Sequence, residues 1–236
     1  MDEFLNSQFI VNFQDIIVPA IFSTLRMLFF SMLFGMIIGM VVAILLVMTS
    51  PYGLNPKPKL YKFVSFWVNM IRSFPVIILI VAMSPLTRVI VGTSVGEQAA
   101  IVPLTIAAFP VIARYVVASL LEVDRNVILA ARSFGATNMQ ILIKVMFVEA
   151  MPAIVSGMTT TVILFLASTA LAGAVGAGGL GAVALTFGYQ RFDDMMMYCI
   201  VAILFIMVLL IQGLGELLYR KVKKGKNTQR LQERNI

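Results

Sequence analysis

Residues 173–181 read GAVGAGGLG, and the reading of this run decides the fold. Gly176, Gly178 and Gly181 satisfy G-x-G-x-x-G, the spacing at which a tight turn brings backbone amides against a dinucleotide pyrophosphate in an α/β domain. That reading requires a strand before the glycines. The segment before them, VILFLASTALA (162–172), belongs to a long apolar run, and the next carboxylates, Asp193 and Asp194, sit in no strand-helix-strand unit. A Walker A loop fails as well, because no G-K-[ST] follows. The glycines read instead as a place where a membrane-spanning helix ends and the chain turns sharply, packing closely against its neighbours.

Composition agrees. Of 236 residues 60% are hydrophobic and only 12% charged, against about a quarter charged in a soluble domain; the mean hydropathy is +0.98. With roughly 20 apolar residues needed per helical span, the length holds about five or six spans and little else. The expected fold is all-α: a polytopic membrane protein with five transmembrane helices, at about Val18 to Met48, Leu60 to Met83, Ala99 to Leu121, Ala153 to Ala174 and Met195 to Leu218. One cysteine, Cys199, excludes an intrachain disulfide and reads as packing. The absence of histidine removes the commonest metal ligand and neutral-pH general base. The N-terminus, MDEFLNSQF, is acidic and lacks the basic n-region of a cleaved signal peptide, so the first span is expected to target the chain.

Charge sets the expected orientation. Of the 18 lysines and arginines, 15 fall beside spans one, three and five on one face, leaving Arg26, Arg88 and Arg191 on the other. The positive-inside rule then places the N-terminus outside and the C-terminus in the cytoplasm, which needs an odd number of spans. The net charge of +7 is thus read as an orientation device and not as a nucleic-acid signal. Contact of the basic residues with the lipid bilayer's anionic headgroups is the lesser alternative. Residues 1–220 form the membrane domain and 221–236 a basic cytoplasmic tail.

Several residues inside the spans leave two readings each. Pro75, Pro103 and Pro110 each remove a backbone donor and kink a helix, either to line a cavity or to improve packing. GMIIG at Gly35 and Gly39 permits close helix approach. Arg72 and Arg114 either snorkel to the interface or line a water-filled vestibule. Ser168 and Thr169, the only hydroxyls in FLASTALAG, either face a pathway or bond back to their own helix.

The connection between spans three and four, about 122–148, reads as two short helices broken at Gly135. Val127, Ile128, Ala131 and Phe134 recur at helical spacing in the first; Asn138 is placed to cap a second that carries Ile141, Leu142, Val145 and Met146. Such a helix either lies in the membrane interface or docks into a groove of a partner.

AARSFGA, from Ala130 to Ala136, resembles the E-A-A-x-x-x-G loop of the membrane subunits of ABC importers. IRSFP (71–75), TRVIVGTSVGEQAAIVPLTIAAFPVIAR (87–114) and the glycine run with FGYQRF (187–192) are similar to the permease subunit of the methionine-uptake ABC importers. The resemblance covers roughly residues 15–220. It implies a permease without catalytic, cofactor-binding or metal-binding residues of its own, working as a homodimer with two cytoplasmic ATPase subunits, which hold ATP and Mg, in the inner membrane of a bacterium. It implies that Ala130, Ala131, Arg132, Gly135, Ala136, Thr137 and Ile141 form the coupling helix and its flanks. It implies further that Leu171 closes a gate, with Ser168 and Thr169 beside it on the pathway. The outer loop carrying Gly173, Gly176, Gly178, Gly179 and Gly181 then meets an extracytoplasmic substrate-binding protein.

The chain departs from the family at Leu129, where the motif begins with glutamate, and at Val145, Phe147 and Val148, where it ends I-x-L-P. Docking is therefore expected to rest on apolar packing around Gly135. No residue set looks built to hold a zwitterionic amino acid strongly, as expected of a translocator whose selectivity lies in its binding protein. Methionine, L or D, leads as the solute, ahead of methionine-containing peptides or another small amino acid. A secondary transporter would need an intramembrane carboxylate, a role only Glu216 approaches, and a membrane enzyme would need a convergent catalytic set; neither accounts for the amphipathic loop.

Overall fold

The computed structural model describes the backbone of residues 13–233 and the side chains of residues 13–224. The acidic N-terminal stretch read above as uncleaved, and most side chains of the basic tail, lie outside the described residues. Every regular element among those described is helical, as lipid requires, because a spanning segment must satisfy its own backbone hydrogen bonds.

Helix α1 spans Val18–Thr49, after a π-helical turn at Phe13–Ile17. Helix α2, Pro58–Ser73, starts on a proline whose missing N–H loses nothing at a first turn. Helix α3, Val76–Ala82, follows Pro75, whose ψ of 132° is extended. Helix α4 is Ser84–Val91, closed by Gly92 at φ 85°. Then come α5, Glu97–Leu121, and the short α6, Arg125–Ser133. A single turn at Asn138–Gln140 and a π-helical stretch at Ile141–Met146 run directly into α7, Phe147–Ala172. The glycine run holds a kinked turn, Gly173–Ala177, and α8, Gly179–Val183; after a π-helical Ala184–Gln190, α9 runs over Asp194–Glu233.

Four stretches are continuous, long and apolar enough to cross a membrane: Phe13–Thr49, Glu97–Leu121, Asn138–Ala177 and Asp194–Lys224. The remaining expected span, the second in chain order, corresponds to α2 with α3, bent by 100°. Pro75 disfavours helical geometry at Phe74 and has no N–H to continue the ladder, so the bend falls there. Pro103 and Pro110 behave differently: α5 stays helical through both. The fourth span is also longer than expected, since the second helix of the loop is its first turns and not a separate element. The last helix extends past the membrane stretch into the tail.

Contacts divide the chain into two compact units. One comprises Met1–Gly35, Phe74–Ala108 and Val162–Leu209, the other Met36–Ser73, Phe109–Thr161 and Leu210–Ile236. In the first, Met27, Leu104, Phe165, Leu180, Met196 and Ile200 form the buried core. In the second the core is Leu46, Ile112, Val116, Leu120, Ile141 and Leu142. Gly39 makes an intrachain contact there: a Cβ on it would stand 2.9 Å from the Phe109 carbonyl oxygen and 3.0 Å from Ile112 Cβ. Phe22, Phe29, Phe34 and Val41 on α1, with Val201, Phe205, Leu209 and Leu210 on α9, are exposed. Large apolar side chains outward on long helices mark surface made for lipid.

Candidate functional site

Helix α6 lies on the surface of its unit. Asp124 caps it by accepting the Asn126 amide at 2.8 Å, and none of its residues is buried. Its end is closed by Gly135 at φ 81°; the Gly135 amide donates to the Arg132 carbonyl at 3.0 Å and the Ala136 amide to that of Ala131 at 3.1 Å. This is a helix stop that needs a left-handed residue. Phe134, just before it, is 92% exposed, and Val127 and Leu129 are exposed on the helix itself.

Of the residues expected at the coupling loop, Ala130 and Arg132 are exposed, Ala131 and Ala136 half-buried, and Thr137 lies in the link to the next turn. Arg132 donates to Asn138 Oδ1 at 3.3 Å and to the Leu54 carbonyl at 3.5 Å, tying α6 down from its polar side. Two expectations need correction. Thr137, not Asn138, is the N-cap: its hydroxyl accepts from the Gln140 amide at 3.3 Å while Gln140 Oε1 accepts from the Thr137 amide at 2.9 Å, a reciprocal capping box. The apolar stripe of the second helix faces neither the interface nor a partner, because Ile141, Leu142 and Met146 are buried against their own unit. The Ile141–Met146 stretch packs against α6.

The glycine run divides into two kinds of position. Gly176, Gly178 and Gly179 hold φ of 94°, 83° and 74°. Gly173 and Gly181 are close approaches, where a Cβ would stand 2.5 Å from the Ala182 nitrogen and 2.2 Å from the Ala170 carbonyl oxygen. The turn is anchored by the Gly96 amide donating to the Gly176 carbonyl at 2.9 Å. With only Gly178 at its N-cap, α8 is capped from afar: Leu180 donates its amide to Thr24 Oγ1 at 2.9 Å, and the Thr24 hydroxyl donates to the Ala20 carbonyl at 2.9 Å. Thr24 is a residue the sequence does not reveal. Val175 and Ala177 of the turn line a small cavity with Ser84, Thr87 and Pro103, in which the buried Thr87 hydroxyl has no hydrogen-bond partner.

Along α7, Ser168 donates to the Leu164 carbonyl at 3.1 Å and Thr169 to that of Leu166 at 2.6 Å, and both are buried. The hydroxyls thus follow the second of their two readings. Leu171, three and two residues on, is 45% exposed, so the three residues expected together on a pathway do not share one surface. Arg72 is exposed, whereas Arg114 is held by Asn69 and Ser65. Glu216 accepts from Arg220 at 2.6 Å on an exposed stretch of α9, an ordinary surface pair. Among the described residues no group of acidic, histidine or cysteine side chains is placed to hold a metal.

A multi-pass helical chain with an exposed, Gly135-stopped helix between its third and fourth spans has the build of a membrane transport subunit. Residues 35–224 match the family described as binding-protein-dependent transport system inner membrane component, and the chain belongs to that family. It is 39% identical over 208 residues to the probable D-methionine transport system permease protein MetI of Vibrio cholerae, covering 88% of this chain and 92% of that protein. It is 39% identical over 180 residues to the methionine import system permease protein MetP of Bacillus subtilis, covering 76% and 81%. A solved inward-facing structure of the MetNI methionine ABC transporter contains a chain that superposes with a TM-score of 0.85 at 47% identity, covering 87% of this chain and 95% of that one.

Proposed function

We propose that this chain is the permease subunit of an ATP-driven importer for methionine, taking its solute from an extracytoplasmic binding protein. It acts as a homodimer with two cytoplasmic ATPase subunits, which carry ATP and Mg and perform the hydrolysis. The observation that carries the reading is α6: a capped, Gly135-stopped helix with no buried residue and with Phe134 and Leu129 outward. An isolated chain gains nothing by displaying these side chains, whereas a groove on a partner would cover them. The names of the relatives support methionine as the solute, and the basic loops support a cytoplasmic position for α6 and the C-terminus.

In this reading ATP draws the two ATPase subunits together and the two α6 helices move with them. Because α6 rests on the buried Ile141, Leu142 and Met146, which lead without a break into α7, its displacement passes to a spanning helix. The free energy comes from the difference in contacts between the two states. At the far end of α7 the glycine run meets the binding protein.

Uptake of radiolabelled methionine into proteoliposomes holding this chain, its ATPase and its binding protein tests the proposal. Accumulation that needs all three proteins and ATP is the expected result. ATP hydrolysis stimulated by the binding protein without methionine accumulation would retain the importer and overturn the solute.

A further inference from the structure

We infer that Arg114, with Asn69 and Ser65, is an oxyanion-binding station for the carboxylate of the amino acid as it crosses the membrane; the inference rests on the importer reading above. The three residues lie in one unit, Arg114 on α5 and the other two on α2. Arg114 Nε donates to Asn69 Oδ1 at 3.1 Å, and Nη2 donates to Asn69 Oδ1 at 2.7 Å and to Ser65 Oγ at 2.6 Å. These bonds occupy both lone pairs of the amide oxygen and all hydrogens on Nε and Nη2. What the cluster has left is two N–H groups on Nη1, the amide N–H groups of Asn69 and the Ser65 hydroxyl hydrogen. Its side chains thus present donors, fixed in place, around a cationic guanidinium. That is the complement of a carboxylate.

Neither of the two helices that hold the cluster places an acidic residue beside it. Helix α2 contains no acidic residue, and the single one in α5, Glu97, stands almost five turns from Arg114 and pairs with Arg26 at 3.3 Å. Arg72, three residues beyond Asn69, adds a second cation on the same stripe of α2. The stripe also points away from lipid. At about 100° per residue, Ser65, Asn69 and Arg72 centre roughly 150° around α2 from Phe63, Phe66 and Trp67. Those aromatic side chains are exposed and take the lipid side. An unpaired cation within a span and turned from lipid faces water, and a solute passing through that water carries the carboxylate the station lacks.

The test measures methionine accumulated per ATP hydrolysed in proteoliposomes of the full complex. Arg114→Gln and Asn69→Asp are each expected to lower this ratio about tenfold while hydrolysis still responds to the binding protein; Arg114→Lys, which keeps the charge but not the fork, loses less. Asn69→Asp separates function from folding, because it gives Arg114 a carboxylate and would preserve or improve a merely structural contact. A wild-type ratio in both Arg114→Gln and Asn69→Asp overturns the station. The measurement is repeated in vesicles of neutral phosphatidylcholine with and without phosphatidylglycerol. The same loss in both supports the solute carboxylate, whereas a wild-type ratio that falls to the variants' level only when anionic lipid is left out assigns the site to a headgroup and overturns it. If the wild-type complex hydrolyses ATP in response to the binding protein but accumulates no methionine, the solute reading fails and the carboxylate assigned here fails with it; if it does neither, the importer reading itself fails.

Discussion

At Gly135 the backbone holds φ at 81° with nothing within 4 Å of where a Cβ would stand, so the constraint is conformation and not space. An ordinary L-residue there costs about 1–2 kcal/mol, and asparagine less, because it visits the left-handed region more readily. Binding-protein-stimulated ATP hydrolysis is therefore expected to survive Gly135→Asn and to fall about tenfold in Gly135→Pro, whose ring fixes φ near −65°, at unchanged membrane level. Equal activity of the two variants would detach the helix stop from coupling. Gly181 poses the opposite case: its φ is ordinary, but a Cβ would stand 2.2 Å from the Ala170 carbonyl oxygen. Gly181→Ala forces the run apart, at a cost of about 1–3 kcal/mol, and is expected to lower the apparent Tm of the purified complex. The sequence marks both positions as glycine without separating these reasons, because the second depends on backbone eleven residues away. Arg114 shows the same limit. Its charge and depth are legible in the sequence, but the neutral partners that aim it lie 45 and 49 positions earlier.

At the scale of elements, legibility follows the range of the interaction. Long apolar helices, the bend at Pro75 and the stop at Gly135 rest on local chemistry, and the sequence places them. The capping box at Thr137 is local as well, since T-x-x-Q is written in the chain one position before the Asn138 expected as the cap. The capping of α8 is different, because its acceptor, Thr24, lies 156 residues away. Only the packing of α1 beside the glycine run creates that contact. Thr24→Val keeps the shape and leaves the buried Leu180 amide without an acceptor, a loss of about 1–3 kcal/mol. Thermal unfolding of the purified complex is expected to show a lower apparent Tm in Thr24→Val and a near-wild-type value in Thr24→Ser. Equal values in both would mean that α8 needs no cap.

For the whole molecule, the bent pair α2 and α3 decides the parity of the topology. If it crosses the membrane, five spans put the termini on opposite sides; if it re-enters, four continuous spans put them on the same side. The charges discriminate between these outcomes. A crossing pair gathers Lys57, Lys59, Lys62 and Arg72 with Arg114, Arg125, Arg132, Lys144 and the basic C-terminal residues on one face, so that 15 of the 18 basic residues lie together. A re-entrant pair would move Lys57, Lys59 and Lys62 to the face of Arg88 and Arg191 and remove about half of the bias that orients such chains. The crossing topology is the expected one. In a Cys199→Ser background, Tyr52→Cys, before α2, and Thr93→Cys, after α4, are both at exposed positions and should react with a membrane-impermeant maleimide from opposite sides, Thr93→Cys from outside. Labelling of both from the same side would make the pair a re-entrant loop, and the polar stripe of Ser65, Asn69 and Arg72 would then belong to a segment that never completes a crossing.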